Sequence, residues 1–560
     1  MVVLITIGSA LELAGVSVIL PVMNSIVAPD ELLQNKYCAQ IYKFMKMTNT
    51  RQLVMLLIMD LITIYIVKNA YLIFMYNRQY KFVYTNLHRL SNQMMDCYLH
   101  QSYLYHVSKT SAELLRNINN DATNFYGVIL SCIQLATELM VCMVLIVYLM
   151  IKDKSITMAI IVLMTIMILV YMKIYKKKLL KLGEKSRHYN VAVNKWIQQS
   201  FGGIKEIKVL NKENFFYDQF DKAYAGHAYT EYMYHTLISI PKPAIEAMCF
   251  CGMLGAVAIK IARGVNPVYF VPIISVFAVA AFRMLPSFNR ITEYLGTIMY
   301  QKSSVDAVYS DLREIEELNA KHEVEEKVKE IPFESAIHIR DISFSYPNND
   351  KVILDHLSLD ITKNTSVAFI GQSGAGKTTL ADIILGILVP TDGTVYLDSN
   401  DIFKNLSSWH SKIGYIPQSI YLLDDTIARN ITFGIADNEI DHRRLDYAIE
   451  RAQLKDMILE LKDGLDTEIG EGGVRLSGGQ RQRIGIARAL YNEPEILILD
   501  EATSALDNDT EKAVMEAIDS LHGEMTLIII AHRLSTIKNC DYVYEVKDGK
   551  AVAADKPNNI

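Results

Sequence analysis

An eight-residue segment in the second half of the chain has the residue types and spacing of a phosphate-binding loop. Its sequence is Gly371-Gln372-Ser373-Gly374-Ala375-Gly376-Lys377-Thr378, between an apolar strand and a helix predicted from Thr379 to Leu388. Glycines let backbone N–H groups turn inward around phosphate oxygens, and a helix N-terminus adds positive potential. We expect Lys377 to reach the β- and γ-phosphates and the Thr378 hydroxyl to ligate Mg²⁺. The segment therefore predicts a nucleoside triphosphate site.

A second chemical feature follows at the end of another apolar run. The segment Ile496–Leu499 is followed directly by Asp500 and Glu501. A buried strand would deliver Asp500 to its carboxyl end, where the carboxylate can hold the Mg²⁺ shell. Glu501 is then placed to orient or deprotonate an attacking water. Apolar strands that end in carboxylates are common. This one indicates a nucleotide site only together with the phosphate-binding loop that precedes it in the chain.

The composition indicates that these residues belong to only one part of a multidomain chain. The sequence has 560 residues, of which 51% are hydrophobic and 21% are charged, with a net charge of −6. This length predicts at least two domains, and the charge balance excludes a strongly basic nucleic-acid-binding protein. The seven cysteines have no spacing typical of a metal ribbon or a disulfide scaffold.

The first half of the chain must supply the membrane elements, since the long apolar runs fall there. Six runs are near the length that a bilayer requires; they are Val2–Val27, Leu53–Tyr76, Gly127–Ile151, Ile156–Tyr175, Leu237–Ile261 and Pro267–Leu285. Seven basic residues and one acid lie between Lys173 and Arg187, which places the end of the fourth span in the cytoplasm. Both chain ends and the long polar insertions after spans two and four are then cytoplasmic. The start of the first run at Met1 leaves open whether a short piece precedes it.

The second half resembles the ATP-binding cassette family over about 333–550. The resemblance is carried by Tyr346 before the phosphate-binding loop, Gln418 in Tyr415-Ile416-Pro417-Gln418, Leu476-Ser477-Gly478-Gly479-Gln480, Ser504-Ala505-Leu506-Asp507 and His532 after an apolar strand. It implies an adenine-stacking role for Tyr346, a signature motif at Ser477–Gln480, a D-loop at Asp507 and a switch histidine at His532. It also places Gln418 near the metal and Thr379 in the nucleotide site. ATP and Mg²⁺ are the implied ligands.

The resemblance also implies an assembly. In this family two cassettes pair head to tail, so that the phosphate-binding loop of one faces the signature motif of the other. One copy cannot complete its own site, and the intact motifs favour a homodimer, with a heterodimer left open. The fold class predicted is a six-helix α transmembrane domain at 1–310, a linker at 311–332 and an α/β P-loop ATPase domain at 333–560. Two segments, Tyr103–Lys109 and Gly203–Asn214, are expected to carry coupling helices.

Parts of the membrane half are similar to bacterial lipid-linked-oligosaccharide flippases. The similar segments are 9–16, 282–290 and the long outer loop 28–52. This resemblance implies transport of a polyprenyl-pyrophosphate-linked glycan across the bacterial cytoplasmic membrane. A wet cavity with fixed positive charge would suit a pyrophosphate headgroup. The candidate contacts are Lys68, Lys242, Arg283 and Arg290.

Other interpretations of the sequence stay open. The same four bases could be held in ion pairs by the acids Glu12, Asp60, Glu138 and Glu246. In that case the alternative interpretation, a transporter of another amphiphile (a lipid, a drug or a peptide), gains support. A cassette protein without transport activity, such as one acting on nucleic acid, conflicts with the six apolar runs.

Overall fold

The computed structural model of the protein describes residues 1–27, 40, 42–45, 50–152, 154–262, 285–322, 330–347, 351–501, 508–531 and 537–554. The chain forms two compact units. The first contains 1–101 and 106–322, and the second contains 102–105 and 323–560. The two units are described separately below.

The first unit is helical throughout its described residues. Its helices are α1 (Val2–Val27), α2 (Thr50–His100), α3 (Tyr103–Ser108, of which 103–105 are assigned to the second unit), α4 (Ser111–Arg116), a π-helical turn (Asn117–Asp121), α5 (Ala122–Lys152), α6 (Lys154–Gly202), α7 (Ile204–Leu210), α8 (Glu213–Ser239), α9 (Pro241–Ala262), α10 (285–300) and α11 (Lys302–His322). Short helices therefore stand at both segments where coupling helices were predicted. The predicted linker, 311–332, begins inside α11.

The apolar runs of the sequence fall within these long helices. Among the described residues, the stretches Arg51–His100 and Ser111–Ile151 are long and apolar enough to cross a bilayer. The first five predicted spans coincide with helix, and the fifth contains a one-residue break at Ile240, between α8 and α9. The sixth, at 267–285, lies almost wholly outside the described residues.

The second unit is an α/β structure with two sheets. Its strands are β1 (Ala336–Ser345), β2 (Val352–Thr362), β3 (Ser366–Ile370), β4 (Asp392–Leu397), β5 (Asn400–Asp401), β6 (Ile413–Ile416), β7 (Ile496–Asp500), β8 (Thr526–Ile530), β9 (Tyr542–Lys547) and β10 (Lys550–Ala553). Its α-helices are α12 (Lys377–Ile384), α13 (Leu406–His410), α14 (Ile427–Thr432), α15 (His442–Arg451), α16 (Lys455–Glu460), α17 (Gly478–Leu490) and α18 (Asn508–Asp519). An antiparallel sheet has the order β2-β1-β4-β5, and the second sheet has the order β10-β9-β3-β8-β7-β6.

The three strands predicted to be buried and parallel lie side by side. Strand β8 pairs in parallel with both β3 and β7. Successive residues alternate between two apolar clusters: Val367, Phe369, Ile496, Ile498 and Ile528 belong to one, and Ala368, Leu497, Leu499, Leu527 and Ile529 to the other. Burial on both faces is what an apolar run without polar alternation requires. Because parallel strands end at the same sheet edge, this order brings the segments after β3 and β7 together.

Candidate functional site

The phosphate-binding loop joins β3 to α12. Helix α12 begins at Lys377 and ends at Ile384, four residues before the predicted end at Leu388. The reason is Gly386, which adopts the left-handed conformation and donates its N–H to the Ile383 carbonyl. A glycine in this conformation is a common helix terminator because it has no Cβ to clash.

Two glycines of the loop hold positions that other residues would not tolerate. Gly371 has a φ of +144°, and a Cβ there would lie 2.4 Å from the Val546 carbonyl oxygen. Gly376 has a φ of +101°, and its Cβ would approach the side chains of Ile353 and Leu354 at 3.1 Å. The glycine pattern in the sequence therefore corresponds to a backbone that must turn tightly against neighbouring strands.

The Lys377 side chain is buried within the loop. Its ammonium donates to the carbonyl oxygens of Gly371 at 2.9 Å and Gln372 at 3.1 Å. Burial lowers the pKa of Lys377, and the carboxylates of Glu501 and Asp500 oppose this shift. The end of β7 lies near the loop because β3 and β7 pair with the two sides of β8.

Glu501 is held in an unusual position directly after β7. Its φ is +46°, a left-handed conformation that is uncommon for a residue other than glycine. The Glu501 N–H donates to the Ile530 carbonyl at 3.1 Å, and the Gln418 side-chain amide donates to its carboxylate at 2.7 Å. The predicted Q-loop residue and the predicted catalytic carboxylate are therefore in direct contact. Local strain of this kind is typical of functional sites.

The donor set fits a magnesium ion bound together with a phosphate ligand. Thr378 offers a hydroxyl, Gln418 an amide oxygen and Asp500 a buried carboxylate. Mg²⁺ prefers oxygen ligands and is usually held by one or two carboxylates plus substrate phosphates. Within the described part of the chain there is no cluster of three or more His, Cys, Asp or Glu that could bind a metal without such a substrate.

Tyr346 lies beside the helix that follows the phosphate-binding loop. Its hydroxyl is 3.3 Å from the Thr379 hydroxyl. The Tyr346 and Phe344 rings pack in a T-shaped arrangement, with ring centroids 5.0 Å apart and planes nearly perpendicular. The ring is partly exposed. Two contacts thus fix a ring that sequence resemblance places under an adenine.

The signature motif forms the start of α17. The Ser477 hydroxyl accepts from the Gln480 N–H, and the Gln480 side chain accepts from the Ser477 N–H. This reciprocal arrangement is a capping box, which fixes the first turn of a helix. The N–H groups of Gly478 and Gly479 lie in that turn, where a helix provides no acceptors of its own. The motif can therefore present N–H donors and a positive helix end to an anion.

Two of the predicted site residues, Asp507 and His532, lie outside the described residues, so their roles stay predictions.

One further residue near the site, Asp382 on α12, was not identified from the sequence. Burial, and then the negative charge of Asp500, raise the pKa of Asp382 to about 6. Its position one turn after Thr378 is readable from the sequence, whereas its burial beside Asp500 is not.

Comparison with known proteins agrees with this geometry in both halves of the chain. Residues 15–282 match the model for the ABC transporter transmembrane region, and residues 354–504 match the model for ABC transporter. An ATP-dependent lipid A-core flippase from Bordetella avium is 30% identical over 448 residues, which cover 79% of this chain and 74% of that protein. The chain belongs to the ABC transporter family.

Other similar proteins extend this result. An ATP-dependent lipid A-core flippase from Photorhabdus laumondii is 42% identical over 217 residues, which span only 37% of its length and 39% of this chain. The structure of a bacterial Atm1-family ABC exporter with ATP bound has a TM-score of 0.72 and 22% identity, over 97% of this chain and 94% of that one. The transporter is therefore a membrane protein with a helical transmembrane part followed by an α/β ATPase part.

The four bases proposed as substrate contacts have different surroundings in this transporter. Lys68 is buried and pairs with Glu12 at 3.1 Å. Arg290 pairs with Glu138 at 2.6 Å, yet 44% of its side chain is exposed. Lys242 is exposed, and Arg283 lies outside the described residues. The two described pairs join partners that are 56 and 152 residues apart in the chain.

A more extensive polar network, not identified from the sequence, lies near the π-helical turn. The Asp121 carboxylate accepts from Arg116 at 3.0 Å, Arg187 at 3.3 Å and the Ser304 hydroxyl at 2.8 Å. Through Asn117 the network continues to Asp311, which also accepts from the Tyr98 hydroxyl at 2.9 Å. One buried carboxylate thus joins α4, α6 and α11.

Proposed function

We propose that two copies of this chain form an ATP-driven flippase for a lipid-linked oligosaccharide with a pyrophosphate group, in the bacterial cytoplasmic membrane. The observation that carries the proposal is Arg290, a charged residue in the apolar half whose side chain is paired yet almost half exposed. One guanidinium nitrogen donates to Glu138. A guanidinium has five N–H donors in a planar fork, so further donors can bind a phosphate.

The relatives support a substrate of the same general chemistry. Several are named ATP-dependent lipid A-core flippases, and the similarity to the Bordetella avium protein extends over most of the chain. Lipid A-core is itself a glycolipid, which makes a glycolipid of this type the second candidate substrate. Both candidates combine an apolar anchor with a polar carbohydrate head.

The decisive experiment separates substrate contact from ion pairing. We would compare Arg290→Ala, Glu138→Gln and the double variant Arg290→Ala/Glu138→Gln in liposomes, measuring flipping of a polyprenyl-pyrophosphate-linked glycan together with basal ATP hydrolysis. If Arg290 contacts the headgroup, the double variant folds and hydrolyses ATP but does not flip the substrate. If Arg290 only neutralises Glu138, the double variant recovers flipping, because it removes both charges. The same liposomes loaded with lipid A-core distinguish the two glycolipids.

The nucleotide chemistry of the proposal uses residues of the second unit. Thr378 and Asp500, with Gln418, would hold Mg²⁺, and Glu501 would act on the attacking water with support from the Gln418 amide. The signature turn at Ser477 would meet the nucleotide bound by Lys377 of the other copy.

Subunit mixing tests that arrangement. We would combine subunits carrying Lys377→Ala with subunits carrying Ser477→Arg. In a mixed dimer one interfacial site loses both elements and the other keeps both, so ATP hydrolysis should rise above that of either homodimer. An active, strictly monomeric ATPase would contradict the homodimer.

A further inference from the structure

Helix α6 carries an exposed row of lysines where it leaves its apolar segment. Its predicted span ends at Tyr175, and six lysines follow or flank that point: Lys173, Lys176, Lys177, Lys178, Lys181 and Lys185. All six are exposed. Within the described residues, none of the six makes a hydrogen bond or an ion pair. We call these six residues the lysine stripe.

The lysine stripe lies mainly on one side of helix α6. At 3.6 residues per turn, all of its members except Lys176 fall within a sector of about 140° of the helix circumference. The adjoining side of α6 packs into the unit through buried residues, which include Tyr171, Leu182 and Leu179. The lysines therefore cover the face of α6 that is turned away from its packing partners.

The depth of the stripe along the helix matches a layer of lipid headgroups. A helix rises about 1.5 Å per residue, so Lys176, Lys177 and Lys178 lie within about 5 Å of the end of the predicted span. The polar headgroup region on each side of a bilayer is roughly 5–8 Å thick. Lys181 lies about 9 Å beyond the span, or roughly one screening length at physiological salt, and Lys185 lies about 15 Å beyond it, or roughly two.

We propose that the lysine stripe binds anionic phospholipid headgroups of the cytoplasmic leaflet. Clusters of four to eight basic residues directly beside a membrane span attract anionic lipids, each lysine contributing several-fold in affinity. Charge complementarity favours this occupant over a second copy of the chain. One acid, Glu184, lies among the six lysines along the chain, and the surface of an anionic leaflet supplies opposite charge at the same depth. The proposal is independent of the substrate that the transporter moves.

The test measures binding of fluorescent phosphatidylglycerol to the purified transporter in detergent, with fluorescent phosphatidylcholine as the neutral probe. In the triple variant Lys176→Gln/Lys177→Gln/Lys178→Gln, affinity for phosphatidylglycerol should fall by more than about tenfold at low salt. High salt should reduce the difference, because surface charge interactions are screened. Affinity for phosphatidylcholine should not change.

Two control variants make the outcome specific. The triple variant with arginine at 176, 177 and 178 keeps the charge and should bind phosphatidylglycerol as the unmodified chain does. The variant Lys205→Gln/Lys212→Gln/Lys222→Gln removes the same charge from exposed lysines beyond the C-terminal end of α6 and should also bind normally. Equal binding by the 176–178 glutamine variant and the unmodified chain would overturn the proposal. So would an equal loss in the distal variant, or weaker dimerisation of the glutamine variant without a change in lipid affinity.

Discussion

The two units place their charged residues differently. In the second unit, three charged residues gather at the carboxyl edge of the parallel sheet: Lys377 at the start of α12, Asp500 at the end of β7 and Glu501 directly after β7. In the first unit, charges such as Lys68 and Asp121 lie inside helix packing and pair with other side chains. A ligand site gathers its charged groups at one edge of a sheet, whereas a buried charge in a helix bundle must be neutralised by the fold. The difference predicts opposite consequences for charge removal in the two units.

The largest effect is expected in the second unit. Glu501→Gln should retain ATP binding and lower ATP hydrolysis by about 10²-fold or more, because an amide keeps the shape of the carboxylate but cannot accept a proton. The measurement is ATP turnover by the purified transporter, with nucleotide binding determined in parallel. Glu516→Gln, an exposed change on α18, is the matched control. Turnover at the unmodified rate in Glu501→Gln would remove the catalytic assignment.

Charge removal in the first unit should affect stability instead. Asp121→Asn leaves Arg116 buried without its carboxylate partner, which commonly costs about 3–5 kcal/mol. The melting midpoint of the purified protein should fall strongly, while ATP affinity of the protein that stays folded should not change. Asp306→Asn, which removes an exposed partner of Lys302, should cost little. If both variants melted alike, the Asp121 network would not be a major support of the helices.

A smaller effect tests a contact that involves no charge. Tyr346→Ala should raise the KM for ATP about tenfold, since stacking of a base on an aromatic ring contributes about 1–3 kcal/mol. Tyr346→Phe keeps the ring and loses only the contact with the Thr379 hydroxyl, so its KM should change by less. Steady-state ATP hydrolysis measures both values. Similar KM values for the two variants would argue against stacking.

The smallest expected effect concerns Asp382. This acid lies in the second unit but is half-buried, which makes it resemble the buried charges of the first unit. Its pKa is about 6 in the folded protein and about 4 for an ordinary aspartate. The protonated form is favoured in the folded state, so the stability of the unmodified protein should decline as the pH rises from about 4 to about 6. Asp382→Asn avoids this loss and should melt roughly 2–4 °C higher above pH 6. At pH 4 the two proteins should melt together; an advantage that persists there would assign it to another cause.

The sequence predicts the second unit far better than the charges of the first. The phosphate-binding loop, the strand before Asp500 and the signature turn at Ser477 are contiguous motifs, so each carries its own local geometry. The contact between Gln418 and Glu501 follows from strand order. The break after Ile384 depends on one glycine conformation, which the apolar pattern alone does not reveal.

In the first unit the partners are far apart in sequence, so helix packing decides them. The sequence offers four bases and four acids in the spans but does not specify that Lys68 meets Glu12 and Arg290 meets Glu138. The Asp121 network was missed largely for the same reason: Arg116 is only five residues from Asp121, but Arg187 and Ser304 come from distant parts of the chain. Its members come from several helices, and none of them belongs to a short motif.

Helix α6 also has a mechanical consequence. It continues for 49 residues from Lys154 to Gly202 and contains no proline. At 1.5 Å per residue it is about 74 Å long. Because the helix is long, a tilt of roughly 5° about its apolar end would move its other end by about 6 Å. A small rearrangement around a substrate could therefore become, at Gly202, a displacement as large as a side chain.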